Sequence, residues 1–195
     1  NKNEEPSEAV YREALERLAV SAEVRVDAQG RRAYRVGKLV GLLAEALGTE
    51  PATVIVLERA ARLYDIGKLG IPDGILMKHG PLTTAEYGLM QRHTVIGAKI
   101  LRLASHPSFR LAETIALHHH ERWDGSGYPH HMSGLDIPDA ARMVALADAY
   151  DALTHERTYR PSRSHTEAAA ELARNAGAQF DPAMTRVFVA LVDQL

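Results

Sequence analysis

Apolar residues recur at helical spacing along most of the chain, and this periodicity limits the fold more than any other feature. The clearest run ends at Gly48. Its apolar stripe consists of Val36, Leu39, Val40, Leu43 and Leu47. Residues three and four apart share one face of an α-helix, so the stripe predicts a helix that buries one side. No pair of alternating segments requires a sheet, and we allow only for a short hairpin within residues 125–138. The sequence therefore predicts an all-α fold.

Several helix starts carry capping signals. A Ser, Thr or Asp side chain before a helix can accept hydrogen bonds from the free amides of its first turn. These starts are Thr83 with Glu86, Ser164 with Glu167, and Asp181 before Pro182. Thr49 and Pro51 are expected to open another helix. A first helix is expected near residues 7–23.

Composition narrows the functional classes. With 195 residues, 46% of them hydrophobic, the chain can bury a sizeable core as one domain. The net charge of -2 argues against general binding to DNA, which depends on neutralising many phosphates. Because there is no cysteine, a metal would be held by His, Asp and Glu, ligands that suit iron, manganese, zinc or magnesium. No apolar run reaches the roughly 20 residues that a membrane helix needs, so we expect a cytoplasmic domain without membrane contact.

The segment 118–129 concentrates chemically active groups. It reads His-His-His-Glu-Arg-Trp-Asp-Gly-Ser-Gly-Tyr-Pro and follows an apolar-periodic segment, which places the histidines at a helix end before a long loop. Adjacent helical side chains project roughly 100° apart, so neighbouring histidines do not easily bind one ion from one face. They suit a site with more than one metal, or one ligand beside one substrate contact. A surface histidine run remains the alternative at this point.

Other segments carry candidate groups that are ambiguous alone. Asp65 and Lys68 lie where a helix ends in a tight glycine-containing loop, and they suit either a shared site or a cap with a solvated lysine. His93 lies near a helix bend, where a lone histidine is more often structural. Asp148 and Asp151 are three residues apart on one helix and share a neighbouring face, so one of them could bind a metal.

A basic run follows the helix of Asp148. It contains Arg157, Tyr159, Arg160 and Arg163. Guanidinium groups bind phosphate oxygens through paired hydrogen bonds, which favours an anionic ligand. A solvated helix end explains the same run equally well.

Taken in order, these segments resemble one known family. Asp-Ile-Gly-Lys, His-His-Glu-Arg-Trp-Asp-Gly-Ser-Gly-Tyr-Pro, Ala-Asp-Ala-Tyr-Asp-Ala-Leu-Thr and Arg-Thr-Tyr-Arg-Pro are similar to the motifs of the HD-GYP domains, a branch of the HD-domain metallohydrolases. The resemblance implies a helical bundle with a Gly/Pro-rich active-site loop over residues 25–195. Residues 1–24 would be an N-terminal helix or a linker from a preceding part of a larger bacterial sensor protein.

The resemblance also implies an activity and a site. The family hydrolyses the bacterial messenger cyclic di-GMP with iron or manganese, through a hydroxide that bridges two metals. The implied metal ligands are Asp65, His93, His119, His120 and Asp148. The implied catalytic residues are Asp65 and Lys68, of which Lys68 would also bind the nonbridging phosphate oxygens. The other implied substrate contacts are Gly127, Tyr128, Pro129, Arg157 and Arg160.

The chain departs from the family at positions that belong together. Tyr64 replaces the histidine of the His-Asp pair, Arg32 replaces an upstream histidine, and Ala28 replaces a glutamate found in members with three metals. A phenol must ionise, at a pKa of about 10, before it ligates well, and a guanidinium does not ligate. We therefore expect at most one or two metals per chain, with the charge of Arg32 paired to Asp148 in place of a cation.

Three functions follow from this comparison. The first is a signalling module with an incomplete metal centre and weak or absent hydrolysis, which binds a cyclic dinucleotide, its linear product or a protein partner. The second is a working phosphodiesterase that recruits a second metal weakly. The third is a helical interaction platform without a nucleotide. The missing ligands favour the first function, whereas the intact histidines and Lys68 support the second; the sequence leaves the oligomeric state open.

Overall fold

Helices joined by loops make up the fold. The computed structural model describes residues 31–102, 107–155 and 162–192, together with scattered positions between residues 10 and 24. Its α-helices are α1 (Arg32–Ala46), α2 (Pro51–Ala61), α3 (Asp73–Leu76), α4 (Thr84–Gln91), α5 (His93–Arg102), α6 (Pro107–His118), α7 (Asp139–Thr154), α8 (His165–Arg174) and α9 (Pro182–Val192). Two 3-10 helices span Ile66–Gly70 and Gly134–Asp136. The described residues contain no strand, and the all-α prediction is confirmed.

The N-terminal segment is only partly described. Described positions from 10 to 21 are helical, in agreement with the helix predicted near residues 7–23, and the other residues of that helix lie outside the described part. Residues 25–30 lie outside it too. The predicted domain boundary after residue 24 therefore stays a prediction.

The core lies where the predicted apolar stripes meet. Helix α1 packs against α2 and α7, α5 packs against α6, and α8 packs against α9. Val36, Val40 and Leu43 of α1 are fully buried, as are Leu146 of α7 and Phe188 of α9. Each such side chain stabilises the fold by about 1.5–3 kcal/mol through removal of its apolar surface from water. None of the described helices has the length and apolar character needed to cross a membrane.

The capping predictions are confirmed with one exception. Thr83 and Ser164 form complete capping boxes at α4 and α8. The Asp181 carboxylate accepts hydrogen bonds from the first amides of α9. At α2 the predicted cap Thr49 is wrong, because Glu50 directly precedes the proline at the first helical position and its carboxylate accepts from the Thr53 amide.

The hairpin allowed for in residues 125–138 is also wrong. This segment forms turns and the 3-10 helix Gly134–Asp136. Two of its backbone amides, those of His130 and Met132, donate to the carboxylate of Glu121 at 2.7 and 3.0 Å. A side chain therefore satisfies amides that a partner strand would otherwise bind.

Gly67 joins two parts of the fold that carry candidate ligands. It lies in the first 3-10 helix, two residues after Asp65, and packs on the first turn of α5. A Cβ atom at residue 67 would lie 1.8 Å from the carbonyl oxygen of His93 and 2.4 Å from the Gly97 nitrogen. Only a residue without a side chain allows this approach, which holds Asp65 beside His93.

Gly67→Ala is expected to lower the unfolding free energy by at least about 2 kcal/mol, because the methyl group would meet backbone atoms that cannot move independently. Gly74→Ala is the matched control, since a Cβ there meets nothing within 4 Å. Urea unfolding of the two variants measures the difference. Equal stability of both variants would contradict the packing described for Gly67.

Candidate metal centre

Four predicted ligands converge at the meeting point of three chain segments. Asp65 precedes the first 3-10 helix, His93 begins α5, and His119 and His120 directly follow α6. One potential ligand atom from each lies within 4.8 Å of those of the others. His93 Nε2 and His119 Nε2 lie 3.4 and 3.8 Å from the same oxygen of Asp65. Asp65, His93 and His119 are buried, and His120 is half-buried.

Backbone carbonyls orient two of the histidine rings. The Nδ1 atom of His93 lies 2.8 Å from the carbonyl oxygen of Met90, and that of His119 lies 3.1 Å from the carbonyl oxygen of Ala116. A carbonyl can only accept, so each Nδ1 carries a hydrogen and each neutral ring presents the lone pair of Nε2. Metal-binding histidines are commonly oriented in this way.

The chemistry of this cluster fits a cation. Asp65 Oδ1 is buried and has no hydrogen-bond partner among the described residues. The two Nε2 atoms that face this oxygen are themselves acceptors, so acceptors surround one small space. Buried acceptors are normally satisfied, and a divalent metal would satisfy all of these at once. Asp65, His93, His119 and His120 are therefore suited to hold one metal ion.

Burial keeps the imidazoles in the form that ligates. It lowers the pKa of His119 to about 4 and is also the largest cause of the lowered pKa values of His93 and His120. Burial opposes ionisation of Asp65, but opposing charge, above all the cation of Lys68, lowers its pKa overall. Lys68 Nζ lies 2.5 Å from Asp65 Oδ2. At neutral pH a metal thus meets neutral histidines and an ionised carboxylate.

Asp148 lies outside this cluster and is already engaged. Its Oδ1 atom accepts from Arg32 Nη2 and from the Tyr64 hydroxyl, each at 2.5 Å. The predicted pairing of Arg32 with Asp148 is therefore present. Arg32 lowers the pKa of Asp148 against the larger opposing effect of burial. Burial, followed by Asp148, raises the pKa of Tyr64, so Tyr64 is a neutral phenol that donates to the carboxylate.

A second arginine contacts the next carboxylate on α7. Arg35 donates from Nε and Nη2 to the two oxygens of the buried Asp151, at 2.5 and 3.0 Å. Arg32 Nε lies 3.8 Å from the same carboxylate. The side of the centre nearest α1 is therefore an arginine–aspartate network.

The Gly-Tyr-Pro loop borders the histidine cluster. The ring of Tyr128 stacks on that of His120, with centroids 4.7 Å apart. Gly127 allows the loop to approach, since a Cβ there would lie 2.3 Å from the Arg122 nitrogen. Pro129 follows through a cis peptide bond. Arg157, Arg160 and the substituted position Ala28 lie outside the described residues, so their predicted roles stay predictions.

Two contributors were not singled out from the sequence. Glu121 anchors the loop by accepting the amides of His130 and Met132, and Tyr87 makes an edge contact with Tyr128 at 6.4 Å. The role of Glu121 could have been found from the sequence, because it is a carboxylate directly before a Gly/Pro-rich loop whose backbone amides need acceptors. That of Tyr87 could not, because its contact depends on how α4 packs.

Known proteins show the same arrangement of elements. The model of the family described as "HD domain" matches residues 13–184. The chain belongs to the HD-domain family. The resemblance to its HD-GYP branch is confirmed by curated relatives that are named cyclic di-GMP phosphodiesterases.

One relative of this HD domain is the cyclic di-GMP phosphodiesterase of Thermotoga maritima, 40% identical over 94% of this chain and 50% of that protein. Another is the 3'3'-cGAMP-specific phosphodiesterase 2 of Vibrio cholerae, 35% identical over 91% of this chain and 34% of that protein. The chain thus spans half or less of these relatives. A solved HDG"Y"P protein of Bdellovibrio bacteriovorus shares the fold with a TM-score of 0.68 and 20% identity, over 95% of this chain and 63% of that one.

The unfolding free energy of the metal-free protein is expected to fall as the pH drops from 7 to 4. The pKa of His119 is about 4 in the folded state and about 6.5 when unfolded, so between these values the unfolded chain binds the extra proton. His119 alone contributes a loss of about 3 kcal/mol, and His93 and His120 act in the same direction.

Urea unfolding with a chelator, at several pH values, measures this loss. His119→Gln should reduce the pH dependence, and Gly74→Ala, which changes no ionisable group, should leave it unchanged. A metal-free protein equally stable at pH 7 and pH 4.5 would contradict the assignment of neutral, buried histidines.

Proposed function

We propose that this HD domain is a bacterial signalling module that holds one divalent metal and binds a cyclic dinucleotide, with weak or absent hydrolysis. The metal ligands are Asp65, His93, His119 and His120. The observation that carries the proposal is the engagement of Asp148 by Arg32 and Tyr64. It indicates a centre in which one half is available to a metal and the other half is neutralised by the protein.

Electrostatics favours one metal over two. The Asp148 oxygen that would ligate a second ion carries hydrogen bonds from a guanidinium and a phenol. A divalent cation beside Arg32 would be repelled strongly, because the interaction of charges a few ångströms apart is weakly screened in a buried site. Two-metal hydrolases stabilise both the attacking and the leaving oxygen with their pair of ions. Loss of one ion therefore predicts slow turnover.

The remaining groups suit recognition of a phosphodiester. The donor set of three imidazoles and one carboxylate suits iron, manganese or zinc, and the resemblance to HD-GYP domains favours iron or manganese. Such an ion, when bound, supplies a Lewis acid that polarises a phosphoryl oxygen. Lys68 adds a positive charge beside Asp65, and Gly127 lets the loop pack closely on the backbone that follows His119. Tyr128 presents an aromatic ring at the edge of the site.

Cyclic di-GMP is the proposed ligand, either intact or as its linear product. Support comes from the relative named as a cyclic di-GMP phosphodiesterase, which is 40% identical to this chain. The relative named for 3'3'-cGAMP is 35% identical to this chain. A binding test should therefore first vary the second guanine, by comparing cyclic di-GMP with 3'3'-cGAMP. In signalling, a protein partner would bind differently to the nucleotide-bound and nucleotide-free forms of the domain.

A working phosphodiesterase is the second candidate. The structure retains Lys68, the histidine cluster and the loop that carries Tyr128. The curated relatives are named as phosphodiesterases. In this case a weakly held second metal would have to displace Arg32 from Asp148. The two candidate functions predict different rates of cyclic di-GMP hydrolysis. They also predict different effects of restoring histidine ligands at positions 32 and 64.

Turnover of cyclic di-GMP with Mn²⁺ or Fe²⁺ supplied tests the proposal. The wild-type chain is expected to turn over at least about a hundredfold more slowly than Arg32→His/Tyr64→His, which restores two ligands beside Asp148. Arg31→His is the matched control, since it adds a histidine at a neighbouring exposed position and should leave turnover unchanged.

Two outcomes would contradict the proposal. One is rapid formation of linear product by the wild-type chain that is lost in Asp65→Ala, which would establish the phosphodiesterase. The other is failure of the wild-type chain to bind cyclic di-GMP with metal present, which would remove the nucleotide from its function.

A further inference from the structure

The loop carries a second group of metal-ligating side chains together with the end of α6. It comprises His118, Glu121 and His130, and we name it the loop cluster. One ligand atom from each residue lies within 4.8 Å of those of the others. His118 Nδ1 lies 3.9 Å from Glu121 Oε1, and the rings of the two histidines have centroids 5.3 Å apart. None of these residues belongs to the group around Asp65.

Packing alone does not account for the loop cluster. The Nδ1 atom of His118 is buried and has no hydrogen-bond partner among the described residues, and its 3.9 Å distance to Glu121 is too long for a hydrogen bond. The side chain of Glu121 is fully buried. Its two oxygens each accept one backbone amide, from His130 and Met132, which leaves each oxygen a further lone pair. A buried carboxylate therefore faces imidazole nitrogens with no strong bond between them.

We propose that the loop cluster is a zinc site, separate from the centre at Asp65. Two imidazole nitrogens and one carboxylate oxygen form a common protein ligand set for Zn²⁺, with the fourth position left to water. Magnesium and calcium prefer oxygen ligands alone. Ligand atoms around a tetrahedral zinc lie about 3.4 Å apart, from bonds of about 2.0–2.1 Å. The 3.9 Å between His118 Nδ1 and Glu121 Oε1 lies within about 0.5 Å of this spacing, and the exposed His130 side chain has room to approach both.

The position of the loop cluster gives the zinc a role. His118 ends α6 and directly precedes the ligands His119 and His120. His130 directly follows Tyr128 and Pro129, whose segment lies against His120. A zinc ion would connect the end of α6 to the residue that directly follows the Gly-Tyr-Pro turn. It would therefore hold Tyr128 at the metal centre, and the free zinc level would set how firmly the loop is fixed.

Zinc stoichiometry in matched histidine variants tests this site. Calorimetric titration of the metal-free chain with ZnCl₂ should show one more tightly bound zinc ion for the wild type than for His130→Gln. Affinity for that equivalent should fall at least about a hundredfold in the variant, since even the loss of a residue that supports a ligand costs 10–100-fold. His131→Asn is the control, because it removes the adjacent exposed histidine and asparagine accepts the φ of 56° found there.

The comparison does not depend on the metal content of the centre at Asp65, because the readout is a difference of one equivalent. His118→Gln should lose the same equivalent, and zinc should raise the unfolding temperature of the wild type more than that of His130→Gln. Equal zinc stoichiometry in the wild type, His130→Gln and His131→Asn would overturn the proposal and leave His118 and Glu121 as a structural contact. Loss of the equivalent in His131→Asn as well would also overturn it.

Discussion

The contact between Arg32 and Asp148 joins helices α1 and α7, whose packing forms much of the core. Each side chain is only 18% exposed, so neither charge is well solvated. Removal of one partner from such a pair typically costs about 3–5 kcal/mol, because the other charge is left buried without compensation. Asp148 therefore requires a positive partner in every stable state of the molecule. An arginine and a metal ion are alternative partners for the same carboxylate.

The two carboxylates of the centre differ in this respect. Asp148 is satisfied within the protein, by Arg32 and by the hydroxyl of Tyr64. Asp65 has one oxygen paired with Lys68 and the other facing histidine lone pairs without a hydrogen bond. The protein thus completes one half of the centre and leaves the other half to a cation. This asymmetry explains why the histidines around Asp65 are present while the ligand positions beside Asp148 are substituted. The substitutions therefore do not imply that the whole site has lost its function.

The sequence predicted the fold from spacing and the site from a family resemblance. Helical periodicity was sufficient for the all-α fold, whereas the grouping of Asp65, His93 and His119 was implied by the similarity of the ordered motifs to those of HD-GYP domains. The Arg32–Asp148 pair followed from charge, since an arginine at a ligand position must find a carboxylate. Thr49 was a wrong cap because the adjacent Glu50 competes for the same amides. The expected hairpin failed because turn-forming residues do not distinguish a paired strand from a loop held by a buried carboxylate.

The central claim is that Arg32 takes the place of a second metal. The most direct test is an anomalous difference map from crystals of the chain soaked in Mn²⁺. The account predicts one peak among Asp65, His93, His119 and His120, with Arg32 still on Asp148. A second peak within bonding distance of Asp148, with the Arg32 side chain displaced from that carboxylate, would contradict it.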